Sequence, residues 1–178
     1  MIFADSYTKT NNLKIINIEK IKIKNILIAN RGEIAVRAIS TCKKLGIKTV
    51  AVYSDPDTHF LPAFMADESF NISGSLSKDT YLDMNKILEI AKITECDAVY
   101  PGYGFLSENT EFAALLEKNN IKFIGPNSKS IEAMGDKIES KKTAIDAKVN
   151  VVPGFNGVIT DSKHAVVGAN NIGFPVIL

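Results

Sequence analysis

The chain has 178 residues, 46% of them hydrophobic, which is enough for one sizeable core and part of a second. Its 21 basic residues are balanced by 20 acidic ones and form no long run, which argues against a nucleic-acid partner. No apolar run approaches the roughly 20 residues that a bilayer requires, so no membrane association is predicted.

The amino-terminal residues 1–23 are predicted to be a tail that precedes the folded part. Residues 1–24 carry five lysines, two acids and no arginine. Mitochondrial presequences favour arginine and avoid acids, so the evidence for a targeting role is weak.

From residue 24 the chain alternates between strand and helix, which predicts a mostly parallel sheet covered on both faces. Ile26–Ile28 is apolar throughout, as expected of a buried strand, and a helical repeat of apolar residues then runs from Ile34 to Leu45. Gly32 permits the turn between them, and Gly46 ends the helix. Four further strands are predicted at residues 48–53, 68–72, 97–100 and 121–124.

Helices are predicted between and after these strands. Thr80 and Asp83 resemble a capping box for a helix whose apolar face starts at Tyr81, and Ser107 is expected to cap the next helix. Further helices are expected at residues 128–134 and 138–149. A weak one is expected at 162–171, where glycine and asparagine disfavour helix, followed by an apolar strand at 174–178.

Several residues suggest chemistry that their surroundings do not support. Asp55 follows Gly32 at about the spacing of a ribose-binding acid, but one glycine cannot replace the GxGxxG turn of NAD-binding domains. Cys42 and Cys96 have no neighbouring ligands at metal spacing and are expected to be buried hydrophobes. His59 and His164 receive no role, and no metal site is predicted.

Three sequence motifs, in this order along the chain, resemble the N-terminal region of biotin carboxylases. They are ILIANRGEIAVR at 26–37, YPGYGFLSEN at 100–109 and MGDK at 134–137, and the resemblance extends over residues 24–178. Biotin carboxylase is the ATP-grasp ligase component of biotin-dependent carboxylases. The resemblance implies a Rossmann-like, mostly parallel α/β domain at 24–134 and the truncated start of an ATP-grasp domain at 135–178. The sequence of residues 138–155 is most similar to that of propionyl-CoA carboxylase α subunits.

The resemblance also assigns roles to four residues. Lys137 matches the MGDK lysine that binds ATP, whereas Tyr103 and Glu108 match residues near the biotin ureido ring. Arg37 lies on the helix face that contributes to a homodimer contact in the family. The residues alone favour plainer interpretations: a tight connection at 101–109 with Tyr103 and Phe105 packed into the core, and solvated side chains for Lys137 and Arg37. Tyr100 stands where the family usually has histidine.

The function implied is that of the N-terminal part of a ligase using ATP, Mg²⁺ and bicarbonate to carboxylate biotin on a carrier domain, beside a carboxyltransferase subunit. The magnesium ligands are expected to lie outside this chain. Micromolar ATP affinity needs about 8 kcal/mol and one charged hydrogen bond supplies about 1.5 to 3, so the chain alone is expected to be inactive. The alternative is a non-catalytic interaction module. The expected location is cytoplasmic in a bacterium and the mitochondrial matrix in a eukaryote.

Overall fold

The computed structural model describes residues 23–155 and 157–177, so the predicted tail lies almost entirely outside the described residues. At its centre is a parallel sheet of five strands in the order β3-β2-β1-β4-β5. The strands are β1 (Asn25–Ile28), β2 (Lys48–Tyr53), β3 (Glu68–Asn71), β4 (Ala98–Tyr100) and β5 (Lys122–Phe123). The predicted α/β class and the first five of the six predicted strands are confirmed.

Helices connect the strands and continue beyond the last one. They are α1 (Gly32–Leu45), α2 (Leu61–Met65), α3 (Met84–Ile93), α4 (Thr110–Lys118), α5 (Ser128–Gly135), α6 (Lys137–Asp146) and α7 (Ser162–Ile172). Gly46 ends α1 with a φ of 68°, and its amide donates to the carbonyls of Cys42 and Lys43. This left-handed cap is the one that the sequence predicts.

Apolar layers cover both faces of the sheet because neighbouring residues of β1 point in opposite directions. Leu27 packs into the larger core with α3 and α4, whereas Ile26 and Ile28 pack against α1 on the other face. Cys96 belongs to the first core and Cys42 to the second, and burial raises the pKa of both thiols. The prediction that the cysteines are buried hydrophobes is confirmed.

Two predicted helix starts are wrong. The α3 helix begins at Met84, and Asp83 caps it by accepting from the amides of Asn85 and Lys86, whereas the Thr80 hydroxyl donates to the Leu76 carbonyl. Tyr81 therefore precedes the helix and is free to point elsewhere. Likewise Asn109, not Ser107, caps α4, by accepting from the Phe112 amide. In both places a nearer cap residue satisfies the first free amides, so the helix starts later.

The carboxyl-terminal part differs from the prediction in one element. The α7 helix forms despite its glycine and asparagine content; Asp161 caps it, and Gly168 is buried beside Phe155. Residues 174–177 do not form the predicted strand, and Leu178 lies outside the described residues. A strand needs a neighbour for its backbone hydrogen bonds, and the described residues provide none here. The proposed boundary at residues 134/135 coincides with the junction of α5 and α6 and stays a prediction.

Candidate functional site

The carboxyl ends of β1, β2 and β4 bring three polar turns to one edge of the sheet. The turn after β1 contains Asn30 and Arg31, the turn after β2 runs from Ser54 to Asp57, and the loop after β4 covers residues 101–109. We call this last segment the 101–109 loop. Open α/β sheets bind ligands at this edge, because there the loops diverge and leave a crevice.

Asn30 connects the first turn to the 101–109 loop. Its side chain is buried, and Nδ2 donates to the carbonyl oxygens of Pro101 at 2.7 Å and Tyr103 at 2.9 Å. Its Oδ1 accepts from the Arg31 amide at 2.9 Å. Gly102, between the two carbonyls, has a φ of 69°, and a Cβ there would lie 2.9 Å from Nδ2 of Asn30. Glycine is therefore required for this close approach.

Asp57 is the centre of a second, buried group of polar side chains. Its carboxylate accepts from the Arg31 guanidinium at 2.8 Å, from the Ser54 hydroxyl at 2.7 Å and from the Tyr81 hydroxyl at 2.7 Å. Burial, together with the bond to Asp57, raises the pKa of Tyr81 to about 12. The Arg31 guanidinium also lies 5.2 Å from the ring centroid of Phe60. One buried carboxylate with three donors is satisfied and well held.

The 101–109 loop rests on this second group through an aromatic contact. Phe105, with a φ of 40°, stacks on Tyr81 with ring centroids 4.9 Å apart. Tyr103 points outward and is 68% exposed, and Glu108 is exposed as well. The loop thus packs one aromatic residue, Phe105, against the core and presents another, Tyr103, together with a carboxylate, at the ligand edge.

Lys137 lies elsewhere, at the first position of α6. Asp136 caps this helix by accepting from the amides of Ile138 and Glu139. Lys137 is exposed and lines an apolar cavity of about 1100 Å³ between α6, residues 151–155 and 157, and α7. Among the described residues, Tyr103 and Glu108 do not line this cavity. Lys137 thus lines a cavity to which the predicted biotin contacts do not contribute.

Arg37 is on the exposed face of α1. Its side chain is 80% exposed, and Nε lies 3.7 Å from the Glu33 carboxylate one turn earlier. A pair this exposed contributes little to stability. Ser40 and Lys44 follow at helical spacing, so Arg37 belongs to a polar helix face whose side chains are accessible.

The residues considered for other chemistry have structural roles. The Asp55 carboxylate accepts from the Asn71 side chain and the Gly74 amide, which lowers its pKa and joins two turns. His164 packs edge-on against Phe155. Within residues 23–155 and 157–177, no three histidine, cysteine, aspartate or glutamate side chains are grouped as metal ligands. Over the same residues, the longest helices are too short and too polar to cross a bilayer.

Sequence reasoning missed three residues that organise this edge: Asn30 as a clamp, and Asp57 and Tyr81 as a buried pair. Asp57 and Tyr81 are 24 positions apart, and no periodicity links them. The signal that could have found them is positional, since Asn30 and Asp57 each follow a buried strand that ends at the ligand edge.

These features define an α/β domain that presents a ligand-facing loop at the carboxyl ends of its strands. Residues 22–131 match the family model of the biotin carboxylase N-terminal domain. The chain belongs to the biotin carboxylase N-terminal domain family. The match includes the 101–109 loop and the turn that contains Asn30.

Curated relatives agree with this membership. The chain is 54% identical over 153 residues to the mitochondrial propionyl-CoA carboxylase alpha chain of Sus scrofa, covering 86% of this chain and 21% of that protein. It is 51% identical over 156 residues to biotin carboxylase 1 of Bacillus subtilis, covering 88% of this chain and 35% of that protein. The chain therefore spans between about a fifth and a third of the length of these relatives. Such homologues are ATP-dependent ligases.

Solved structures also support membership in the biotin carboxylase family. A biotin carboxylase from Campylobacter jejuni in complex with β,γ-ATP has a TM-score of 0.82 at 45% identity, over 86% of this chain and 34% of that one. The biotin carboxylase domain dimer of Hydrogenobacter thermophilus 2-oxoglutarate carboxylase, in complex with MgADP and bicarbonate, has a TM-score of 0.80 at 46% identity. That comparison also covers 86% of this chain and 34% of the other.

Proposed function

We propose that the chain supplies the amino-terminal wall of a biotin carboxylase active site, which uses ATP and bicarbonate to carboxylate biotin on a carrier domain. Identity of 51% to biotin carboxylase 1 of B. subtilis over 156 residues carries this proposal. In this chemistry ATP activates bicarbonate as carboxyphosphate, whose carbon dioxide is transferred to biotin. The similarity to propionyl-CoA carboxylase alpha chains favours propionyl-CoA as the final acceptor, on a partner carboxyltransferase subunit.

Lys137 is proposed to contact a phosphate of ATP. Its ammonium is exposed at the start of α6 and lines the apolar cavity, which suits a flexible point charge that approaches a bound nucleotide. One charged hydrogen bond supplies about 1.5 to 3 kcal/mol, well below the roughly 8 that micromolar binding needs. Lys137 therefore contributes to a site that the rest of the enzyme completes, and the chain alone is expected to bind no ATP at micromolar concentration.

Tyr103 and Glu108 are proposed to lie beside biotin. The exposed Tyr103 ring offers a flat apolar surface and a hydroxyl, and Glu108 offers a carboxylate that can accept from ureido N–H groups. Both stand on the 101–109 loop, whose Pro101 and Leu106 are buried and whose Tyr103 carbonyl is bound by Asn30, so the path of the loop is held without a ligand. Arg37 is proposed to take part in a homodimer contact, because its side chain is 80% exposed on the polar face of α1.

We assign no step to magnesium among these residues. The proposed site residues of this chain orient the substrates and bound the space around them, and they do not react themselves. Lys137 neutralises phosphate charge, and Tyr103 with Glu108 bounds the space in which the biotin ring sits. Positioning and charge neutralisation are the main requirements of phosphoryl transfer.

A chimera tests the proposal. Residues 24–178 replace the matching part of B. subtilis biotin carboxylase 1, and ATP hydrolysis is followed with bicarbonate, with and without biotin. We expect activity in the chimera, and Lys137→Ala should raise the KM for ATP by about 10- to 100-fold, the loss of one charged hydrogen bond.

Lys142→Ala is the matched control, because Lys142 is an exposed lysine of the same helix that does not line the cavity. A folded chimera without bicarbonate-dependent turnover would contradict the proposal. Equal KM values in the Lys137 and Lys142 variants would contradict the role of Lys137. Calorimetry on the 178-residue chain should show no micromolar ATP binding.

A further inference from the structure

The Nδ2 group of Asn30 is placed where only a hydrogen-bond donor fits. Its Nδ2 faces two carbonyl oxygens, those of Pro101 and Tyr103, and its Oδ1 faces the Arg31 amide. The orientation of the amide follows from its partners, because the opposite one would set an oxygen against two oxygens. Both protons of Nδ2 are used, and the residue is 4% exposed.

These bonds join segments that are 71 and 73 positions apart in the sequence. Phe105 has a φ of 40°, a conformation that residues other than glycine rarely adopt, so the backbone of the 101–109 loop does not favour this path by itself. Few hydrogen bonds lie within the loop, the chief ones being Ser107 to Gly104 and Asn109 to Leu106. An external clamp is therefore needed to keep its first half in place.

A second series of contacts reaches the 101–109 loop and begins at Arg31, the residue after Asn30. Arg31 binds Asp57, Asp57 binds Tyr81, and Tyr81 stacks on Phe105. The loop is thus held at Tyr103 by Asn30 and at Phe105 by this chain of contacts. Tyr103, the first of these two fixed points, has its carbonyl bound by Asn30 and its ring exposed.

We propose that Asn30 is a positioning residue: by binding the carbonyls of Pro101 and Tyr103 it fixes the 101–109 loop so that the Tyr103 ring faces biotin. The role of Tyr103 toward biotin rests on the proposed function, whereas the fixing of the loop by Asn30 does not. Asn30 touches no substrate and acts through the loop alone. Its replacement should weaken the use of biotin without changing the use of ATP.

Hydrogen exchange by NMR on the 178-residue chain tests the clamp directly. In the unsubstituted chain the two Nδ2 protons of Asn30 should exchange at least tenfold more slowly than those of an exposed asparagine, since both are bonded and buried. Exchange at the rate of an exposed amide would overturn the inference, and this measurement requires no variant.

Substitution tests the consequence for the loop. Asn30→Asp keeps the shape but sets a carboxylate oxygen against two carbonyls, and Asn30→Ala removes the donor if the aspartate variant does not fold. The amides of Ser107 and Asn109 should then exchange about tenfold faster, while Ile87 in α3 keeps its rate. Asn25→Asp is the control, because Asn25 is a buried asparagine at the opposite end of β1 whose Nδ2 donates to the Thr94 carbonyl.

Equal loop exchange in the Asn30 and Asn25 variants would refute the clamp. In the chimera, Asn30→Asp should raise the KM for biotin about tenfold with the KM for ATP within twofold, as loss of one or two hydrogen bonds to the loop implies. An unchanged KM for biotin in an active chimera would refute the positioning role. An inactive parent chimera would count against the proposed function instead, and the exchange data would still decide the clamp.

Discussion

Tyr81→Phe removes one oxygen from the buried group around Asp57 and leaves the ring that supports Phe105. The lost hydroxyl donates to the Asp57 carboxylate at 2.7 Å and accepts from the Ser54 amide at 3.2 Å. A hydrogen bond to a charged group is worth about 1.5 to 3 kcal/mol, and the Ser54 amide is left without its partner. We expect the free energy of unfolding to fall by about 2 to 3 kcal/mol, or roughly 4–10 °C in Tm.

Urea unfolding followed by far-ultraviolet circular dichroism measures this change, since the chain has no tryptophan to report by fluorescence. Tyr53→Phe is the control, because Tyr53 ends β2 and the described residues provide no hydrogen-bond partner for its hydroxyl. It should change stability by less than about 0.5 kcal/mol. Equal losses in the two variants would show that the Asp57 group does not stabilise the fold.

The pH dependence supplies a second check on Tyr81. Its pKa is raised from 10.0 to about 12 in the folded chain, so the neutral phenol stabilises the fold fully below pH 10. That contribution is lost as the pH rises from 10 through 12. The stability difference between the parent chain and Tyr81→Phe should therefore shrink over this interval, and a constant difference would refute the assignment.

Two further predictions concern the same sheet. Gly102→Ala should destabilise the chain by about 1 to 3 kcal/mol in urea unfolding, since its Cβ would lie 2.8 Å from Ile34 at a positive φ; Gly135→Ala, with open space around it, should cost less than about 1. Hydrogen bonds from the Lys24 and Asn25 amides lower the pKa of Asp97 from 3.8, so its stabilisation is present above pH 3.8 and is lost as the pH falls through the folded pKa. Asp97→Asn should flatten stability against pH in that range, and an unchanged profile would contradict the assignment.

Much of the fold could be predicted from local patterns. The apolar run Ile26–Ile28 can satisfy its backbone and side chains together only as a buried strand, and the helical repeat that follows leaves α1 one face to bury. Gly46 ends that helix because a glycine enters the left-handed region without steric cost. The resemblance to biotin carboxylases is also carried by short motifs. The contacts that this resemblance implies could therefore be named from the sequence.

The clamp and the buried carboxylate could not be read from local patterns. Asn30 meets its partners 71 and 73 positions away, and Asp57 meets Tyr81 24 positions away, through the order in which parallel strands assemble. Tyr81 has the spacing of a helix face, but Asp83 offers the better cap, so the helix starts beyond it. Such competition between near-equal local choices is settled by which buried polar groups find partners.

By itself, then, the sequence determined the alternation of strands and helices, the turns that require glycine and the family to which the chain belongs, because these depend on neighbouring residues. Only the tertiary structure decided which turns meet at the ligand edge, that Tyr103 points outward while Phe105 stacks on Tyr81, and that Lys137 lines a cavity to which Tyr103 does not contribute. Those outcomes depend on contacts between residues that are distant along the chain, and their energies are realised only when the sheet is assembled.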